Sequence, residues 1–265
     1  MTTMSRDAVH SAASPDASWA DAFVESVAER DAAAPLVLTC EHGSEALPFG
    51  FALDGGDAWL RGTHWAFDLG AAELTRELAV RLGAGAVVAG FSRLVVDPNR
   101  PLDSDTLVRD VAEGRTIAMN ADVDAGSLER RLALWRAYHV ALDRLFLASR
   151  APLALSVHSF TPVYEGAVRE VEVGVLFDRE EALAAELFAR FREAGFEARL
   201  NEPYSGKLGL IYSVSAHAAV SGRRALELEL RQDLAVDPAV RARVCAVLAA
   251  FSREVAAKLA RADDG

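Results

Sequence analysis

Four short stretches of this sequence gather side chains able to bind a cation, hold a carboxylate or move a proton. His42-Gly43-Ser44-Glu45 sets an imidazole and a carboxylate three residues apart, directly after the apolar run Pro35-Leu-Val-Leu-Thr-Cys40. On a tight turn both can reach one cation, and imidazole with carboxylate suits zinc. The competing reading is a helix start, with Ser44 or Glu45 as its cap. His158-Ser159 ends a second apolar run, Leu153-Ala-Leu-Ser-Val157. A histidine there could supply a third protein ligand and leave a fourth position for water, or it could be a satisfied structural histidine.

The third stretch is Ser92-Arg93-Leu-Val-Val-Asp97-Pro-Asn99-Arg100. Two arginines, an asparagine and an aspartate offer a bidentate carboxylate clamp and an electrophilic donor, or a surface ion-pair network. In Leu226-Glu227-Leu-Glu229-Leu-Arg231-Gln-Asp233, period-two alternation puts Glu227, Glu229 and Arg231 on one face of a strand. A carboxylate there, beside a metal, is a natural general base. The bland alternative is an edge strand with a solvated face. Ser159, next to His158, and Cys40, two residues from His42, also raise a metal-independent hydrolase with a side-chain nucleophile. Neither sits in a G-x-S-x-G elbow, and adjacent residues on a strand point apart.

The elements that would position these groups alternate between strand and helix. Strands are expected at 35–40, 86–89, 94–96, 153–157, 171–177 and 225–230, and helices at 19–31, 67–82, 128–149, 180–194 and 238–260. Such alternation predicts one α/β domain over residues 17–262, a three-layer arrangement with a mostly parallel mixed sheet and helices on both faces. Residues 1–16 and the tail from about Ala262 read as floppy ends. Residues 101–126, polar and rich in Gly and Asp, read as a long excursion able to serve as a lid or substrate loop.

Composition narrows the function. A formal charge of −11 argues against a general nucleic-acid binder, because phosphate contacts need a basic face. A few buried arginines could still set a locally positive potential for an anionic small molecule. Two cysteines make no disulfide framework, no apolar run reaches membrane-spanning length, and the N-terminus lacks a signal-peptide core, so a reducing cytoplasm is the expected location. There is no phosphate-binding glycine loop of either nucleotide type.

Taken in order, these clusters resemble the zinc carboxypeptidase and aspartoacylase superfamily, and more closely the N-formylglutamate amidohydrolase family. The matching stretches are Cys40-Glu-His-Gly-Ser44, Ser92 to Arg100, His158-Ser-Phe-Thr-Pro162, Asn201-Glu-Pro-Tyr-Ser-Gly206 and Glu229-Leu-Arg-Gln-Asp233. The resemblance implies a zinc-carboxypeptidase-like fold, one Zn2+ per chain and hydrolysis of a small N-acyl amino acid, N-formyl-L-glutamate first, as in histidine degradation. It implies that His42, Glu45 and His158 hold zinc, that Glu229 is the general base and that Arg93 stabilises the oxyanion. Asn99 and Arg100 would hold the substrate's α-carboxylate, with Tyr204 and Arg231 as further orienting groups. Asp68 would support the metal ligands, and His217 would be a rim contact. The family pattern is more regular at Glu41-His42 than at Glu45, so Glu41 is the alternative carboxylate ligand. A relative that binds an acyl amino acid without turning it over is the non-enzymatic alternative.

Overall fold

The computed structural model describes residues 17–48 and 50–263, so the expected leader at 1–16 lies outside the described residues. The strands are β1 (Val24–Val27), β2 (Leu36–Cys40), β3 (Ala86–Ala89), β4 (Val111–Ala112), β5 (Arg115–Thr116) and β6 (Leu153–Phe160). After them come β7 (Val163–Tyr164), β8 (Ala167–Val168), β9 (Val173–Leu176), β10 (Ala198–Leu200) and β11 (Arg224–Arg231). The helices are α1 (Ala71–Leu82), α2 (Ala118–Ala121), α3 (Ala125–Ala148), α4 (Glu181–Glu193), α5 (Tyr212–Ser221), α6 (Gln232–Ala235) and α7 (Pro238–Asp263).

Seven strands form one sheet in the order β1-β3-β2-β6-β11-β9-β10. The four central strands β3, β2, β6 and β11 run parallel, whereas β1 joins β3 and β9 joins β11 antiparallel. Alternation along the central strands divides the core in two. Leu36, Leu38 and Cys40 of β2, Leu153, Leu155 and Val157 of β6, and Leu226, Leu228 and Leu230 of β11 pack with α1, α4 and α7. Val37 and Ala154 face the opposite cluster, built with α3 and α5. The sheet is therefore covered on both faces, which is why its inner strands read as nearly continuous apolar runs. Polar residues at alternate positions, Ser156 and His158 on β6 and Glu227 and Glu229 on β11, share the α3/α5 side and are buried. No helix among the described residues is long and apolar enough to cross a membrane.

Two elements differ from expectation. Residues 17–23 form a short 3-10 helix, and Val24–Val27 then pairs with β3 as an edge strand instead of continuing as a helix to residue 31. The sheet edge offers that segment backbone partners that its weak helical spacing does not override. Leu94–Val96 is buried in turns, not in a strand. Its carbonyls are satisfied by side chains instead: Asn120 Nδ2 donates to Leu94 O at 2.8 Å and Arg131 Nη1 to Val95 O. The strand β10 and the helix α5 are additional to those expected.

Candidate functional site

Open α/β sheets bind ligands beyond the carboxyl ends of their parallel strands, and here the ends of β2, β6 and β11 meet. The β6–β11 register sets Glu229 beside His158. Glu41 and His42 lie just past β2, and the chain must then pass tightly over β3: a Cβ on Gly43 would meet Val88 Cγ1 at 2.3 Å and Ala89 O at 3.0 Å. That contact explains a glycine directly after the histidine. Asp68 arrives from the turn before α1, and its backbone N–H donates to His42 O at 2.9 Å.

The two imidazoles are held in the same way. His42 Nε2 donates to Asp97 Oδ1 at 2.7 Å, and His158 Nε2 donates to Glu41 Oε2 at 2.9 Å. Both Nδ1 atoms turn instead to one oxygen, Asp68 Oδ2, at 3.4 Å from His42 and 2.8 Å from His158. One ligand atom from each of His42, Asp68 and His158 lies within 4.8 Å of the others, and all three residues are buried. A carboxylate behind Nε2 fixes the imidazole's orientation and leaves Nδ1 to face a cation, the outer-shell arrangement common to histidine metal ligands. Glu41 is fully engaged in that supporting role, also accepting from Ser156 Oγ at 2.5 Å and Tyr138 Oη at 3.0 Å.

The charge distribution fits a divalent cation. Glu41, Asp68, Asp97, Glu227 and Glu229 are all at most 5% exposed, around two imidazoles and the Arg93 guanidinium. Burial drives the Glu227 carboxyl up to about 7 against the pull of His158, with Glu41 and Asp68 adding to the rise. Glu229 is pushed well above the usual carboxylate range by burial, opposed by His158 and reinforced by Glu227 and Asp68. Burial would depress His158, but Glu227, Asp68 and Glu41 outweigh it and raise its proton affinity. Burial first, and the neighbouring carboxylates second, favour the protonated form of the two glutamates, and the same carboxylates favour a protonated His158; a cation among the three donors acts in the opposite sense. Glu229 Oε2 and His64 Nε2, both on the cavity, are buried with no hydrogen-bond partner among the described residues. Neutral imidazole nitrogens with one carboxylate oxygen suit zinc.

A cavity of about 350 Å3 opens over this group. Arg93 reaches it, with Nη2 donating to Asp97 Oδ2 at 2.8 Å and Nη1 lying 3.7 Å from Asp68 Oδ1. Arg100, Tyr204, Ser159 and Asn99 also line it. The Asn99 amide, however, is already occupied, donating to Leu210 O at 3.0 Å and accepting from Ser213 N–H at 3.0 Å, whereas Arg100, whose Nε donates to Thr106 Oγ1 at 3.3 Å and Nη1 to Asn99 O at 2.8 Å, keeps Nη2 without a partner among the described residues. Ser159 Oγ donates to Leu69 O at 2.8 Å and faces no base. Burial raises the Cys40 thiol to about 12, and Cys40 is not on the cavity wall.

Three expectations are corrected by position. Glu45 is exposed and accepts from Gly62 N–H at 2.7 Å, away from the histidines. After Gly43 the chain neither starts a helix nor turns back, and the carboxylate that lies with the two histidines is that of Asp68. Arg231 lies off the cavity, paired with Asp233 at 2.8 Å and donating from Nη1 to Arg169 O at 3.2 Å. Strand alternation puts it on the site face, but the strand ends there and Asp233 draws it aside. His217 is not a rim contact: it stacks on His139, with its Nε2 2.9 Å from His139 Nδ1, behind the Asp97–Arg100 turn.

Sequence reasoning passes over Asp97 as a histidine partner and does not single out His64, Arg109, Tyr164 or Arg169, all four of which line the cavity. Asp97 lies within one of the four clusters, and Glu227 within the alternation of β11. Arg109 and Arg169 carry no local signal, because they come from irregular segments between elements.

The chain matches the profile of the N-formylglutamate amidohydrolase family over residues 34–236. Among solved structures it is similar to a gene product of Agrobacterium tumefaciens, at 29% identity and TM-score 0.79, over 89% of this chain and 96% of that one. It also shares its fold with an N-formylglutamate amidohydrolase from Ralstonia eutropha, at 22% identity and TM-score 0.62, over 91% of this chain and 99% of that one. No curated protein sequence matches it. The chain belongs to the N-formylglutamate amidohydrolase family and is an amide-cleaving hydrolase.

Proposed function

We propose that this chain hydrolyses the amide of a small N-acyl amino acid, N-formyl-L-glutamate to formate and L-glutamate, with zinc held by His42, Asp68 and His158. The observation that carries this reading is the buried trio whose two imidazoles each have a carboxylate behind Nε2. Zinc bound there supplies Lewis acidity, which activates water and polarises a carbonyl.

The remaining roles fall to the chain's own groups. Glu229, level with His158 in the sheet and with one oxygen unpartnered, takes the water's proton and passes it to the departing amine nitrogen. Arg93, fixed by Asp97, faces the cavity as the donor for the charge that develops on the carbonyl oxygen. Arg100 takes the substrate's α-carboxylate, and Tyr204 forms part of the wall beside it. Asp97 and Glu41 keep both imidazoles in one tautomer.

The test is metal content of the purified protein, paired with N-formyl-L-glutamate hydrolysis before and after chelation. About one zinc per chain is expected, with activity lost on chelation and restored by zinc. Undiminished activity in chelator would overturn the metal-dependent reading and return attention to Ser159, the one of the two candidate nucleophiles that lies on the cavity wall.

A further inference from the structure

With one exception, each described histidine has a partner on both ring nitrogens. His42 lies between Asp97 and Asp68, and His158 between Glu41 and Asp68. His139 and His217 meet each other and reach Pro98 O and Asp143 with their remaining nitrogens. His64 is the exception: neither nitrogen has a partner among the described residues, and Nε2 is also buried. A buried nitrogen left unpaired carries a desolvation cost that an arriving ligand group can relieve.

His64 lines the catalytic cavity together with Arg93, Asp68 and Glu229. The turns before α1 fix its position. Thr63 Oγ1 donates to Leu60 O at 2.7 Å, and the Ala66 N–H donates to Thr63 O at 2.9 Å. The imidazole lies against the Trp65 ring, with centroids 4.8 Å apart. Ala66 O accepts from Ser92 Oγ at 2.8 Å and from the Arg93 N–H at 3.2 Å, which ties the His64 turn to the backbone of the oxyanion donor. A group placed this firmly needs little reorganisation when charge develops beside it. Burial foremost, and the positive charge of Arg93 next, lower the pKa of His64. The imidazole is therefore neutral at neutral pH and keeps one N–H, which it gives as a hydrogen bond and not as a proton.

We infer that His64 is a second oxyanion donor, its Nε2–H joining Arg93 at the scissile carbonyl oxygen as that atom becomes negative. The inference rests on the amidohydrolase reading above, in which Arg93 is the first donor. A hydrogen bond to a charged oxygen is stronger than one to a neutral carbonyl, so the imidazole acts mainly on the transition state.

The experiment compares His64→Phe, which keeps a ring against Trp65 and loses the donor, with His64→Gln, which loses the ring and keeps an amide donor. Rates with N-formyl-L-glutamate are normalised to bound zinc, so that a misfolded fraction does not count as lost catalysis. His64→Phe is expected to lower kcat about 10^2- to 10^3-fold, the worth of one oxyanion donor, with KM within about 3-fold of wild type. His64→Gln is expected to keep kcat within about 10-fold of wild type. Calorimetry in zinc-loaded Glu229→Gln reads ground-state binding without turnover, and adding His64→Phe there is expected to change the Kd for N-formyl-L-glutamate by less than about 3-fold. Wild-type kcat in His64→Phe overturns the inference and leaves the amidohydrolase reading standing. A loss in His64→Gln as large as in His64→Phe does the same, as does a loss that falls on Kd instead of kcat. No hydrolysis of N-formyl-L-glutamate by the zinc-loaded wild type overturns the amidohydrolase reading and this inference with it.

Discussion

The carboxylate ligand is where sequence spacing and folded position disagree, so the pair Asp68→Asn and Glu45→Gln discriminates between them. Asp68 is 4% exposed and presents Oδ2 to both imidazole Nδ1 atoms, at 2.8 and 3.4 Å. Replacing it with Asn keeps the shape and removes the only carboxylate of the trio. Loss of an outer-shell partner already weakens metal binding about 10- to 100-fold, so loss of a direct charged donor is expected to cost at least about 100-fold, or roughly 2.7 kcal/mol. Glu45 is exposed, and it accepts from the Gly62 N–H, a bond that Gln can also accept. Its replacement is expected to change zinc affinity by less than about 3-fold, since exposed substitutions of this kind are worth under roughly 0.5 kcal/mol. Zinc titration against a competing chromophoric chelator reads both constants, and far-UV circular dichroism checks the fold. Zinc binding lost in Glu45→Gln and kept in Asp68→Asn would refute the ligand set drawn from the geometry.

Glu229→Gln is expected to keep zinc and lose about 10^2- to 10^4-fold in kcat, the usual contribution of a general base; a variant with wild-type turnover removes Glu229 from the mechanism. Its Oε2 has no partner to lose, so thermal stability should hardly change. Glu41→Gln removes the charge behind His158 Nε2 and is expected to weaken zinc binding about 10- to 100-fold without removing any direct donor; affinity equal to wild type would deny Glu41 its supporting role. His139 is buried, and burial foremost, with the charge of His217 second, lowers its pKa from 6.5 to about 3. Between those two values the unfolded chain binds a proton there and the folded chain does not, so stability is lost as pH falls through that window. At pH 5 the loss is about 2 kcal/mol, and His139→Gln should flatten the pH dependence of urea unfolding by that amount. An identical slope in the variant would show that His139 titrates normally in the folded state.

How much of this is legible in the sequence depends on how local each constraint is. The central strands and long helices follow from periodicities in single segments, so β2, β6, β11, α3 and α7 lie where spacing puts them. His42, His158 and Glu229 are legible because each sits at or near a strand end, where an apolar run breaks into a functional group. Asp68 is visible only as a supporting residue, because the turn that folds it under His42 depends on a backbone bond from its N–H to His42 O. Arg109 and Arg169 depend on where irregular segments come to rest, and no periodicity encodes that. The edge strand β1 is hidden for a related reason. Its partner β3 lies far along the chain, with Val24 opposite Ala89 and Val27 opposite Ala86, so nothing within the segment itself announces the pairing.

Helix α3 does more than cover the sheet. Arg131, Trp135 and His139 recur at every fourth position and so share one face of that helix. From this face Arg131 Nη1 donates to Val95 O, Trp135 Nε1 to Arg100 O at 3.0 Å, and His139 Nε2 to Pro98 O at 3.1 Å. A segment without strand neighbours must find partners for its carbonyls somewhere, and here one helix face supplies them. The network continues outward, because a His139 that donates from Nε2 must accept at Nδ1, and His217 Nε2 is the donor that faces it. His217 Nδ1 in turn lies 3.0 Å from Asp143 Oδ1, one further helical turn along α3. The residues so braced include Asp97, which orients His42, Arg100, which faces the cavity, and Asn99, whose Nδ2 donates to Glu227 Oε2 at 3.4 Å. Apolar spacing marks α3 as a core helix, but its polar stripe holds the turn that carries the chemistry, which makes the helix part of the site and not only part of its support.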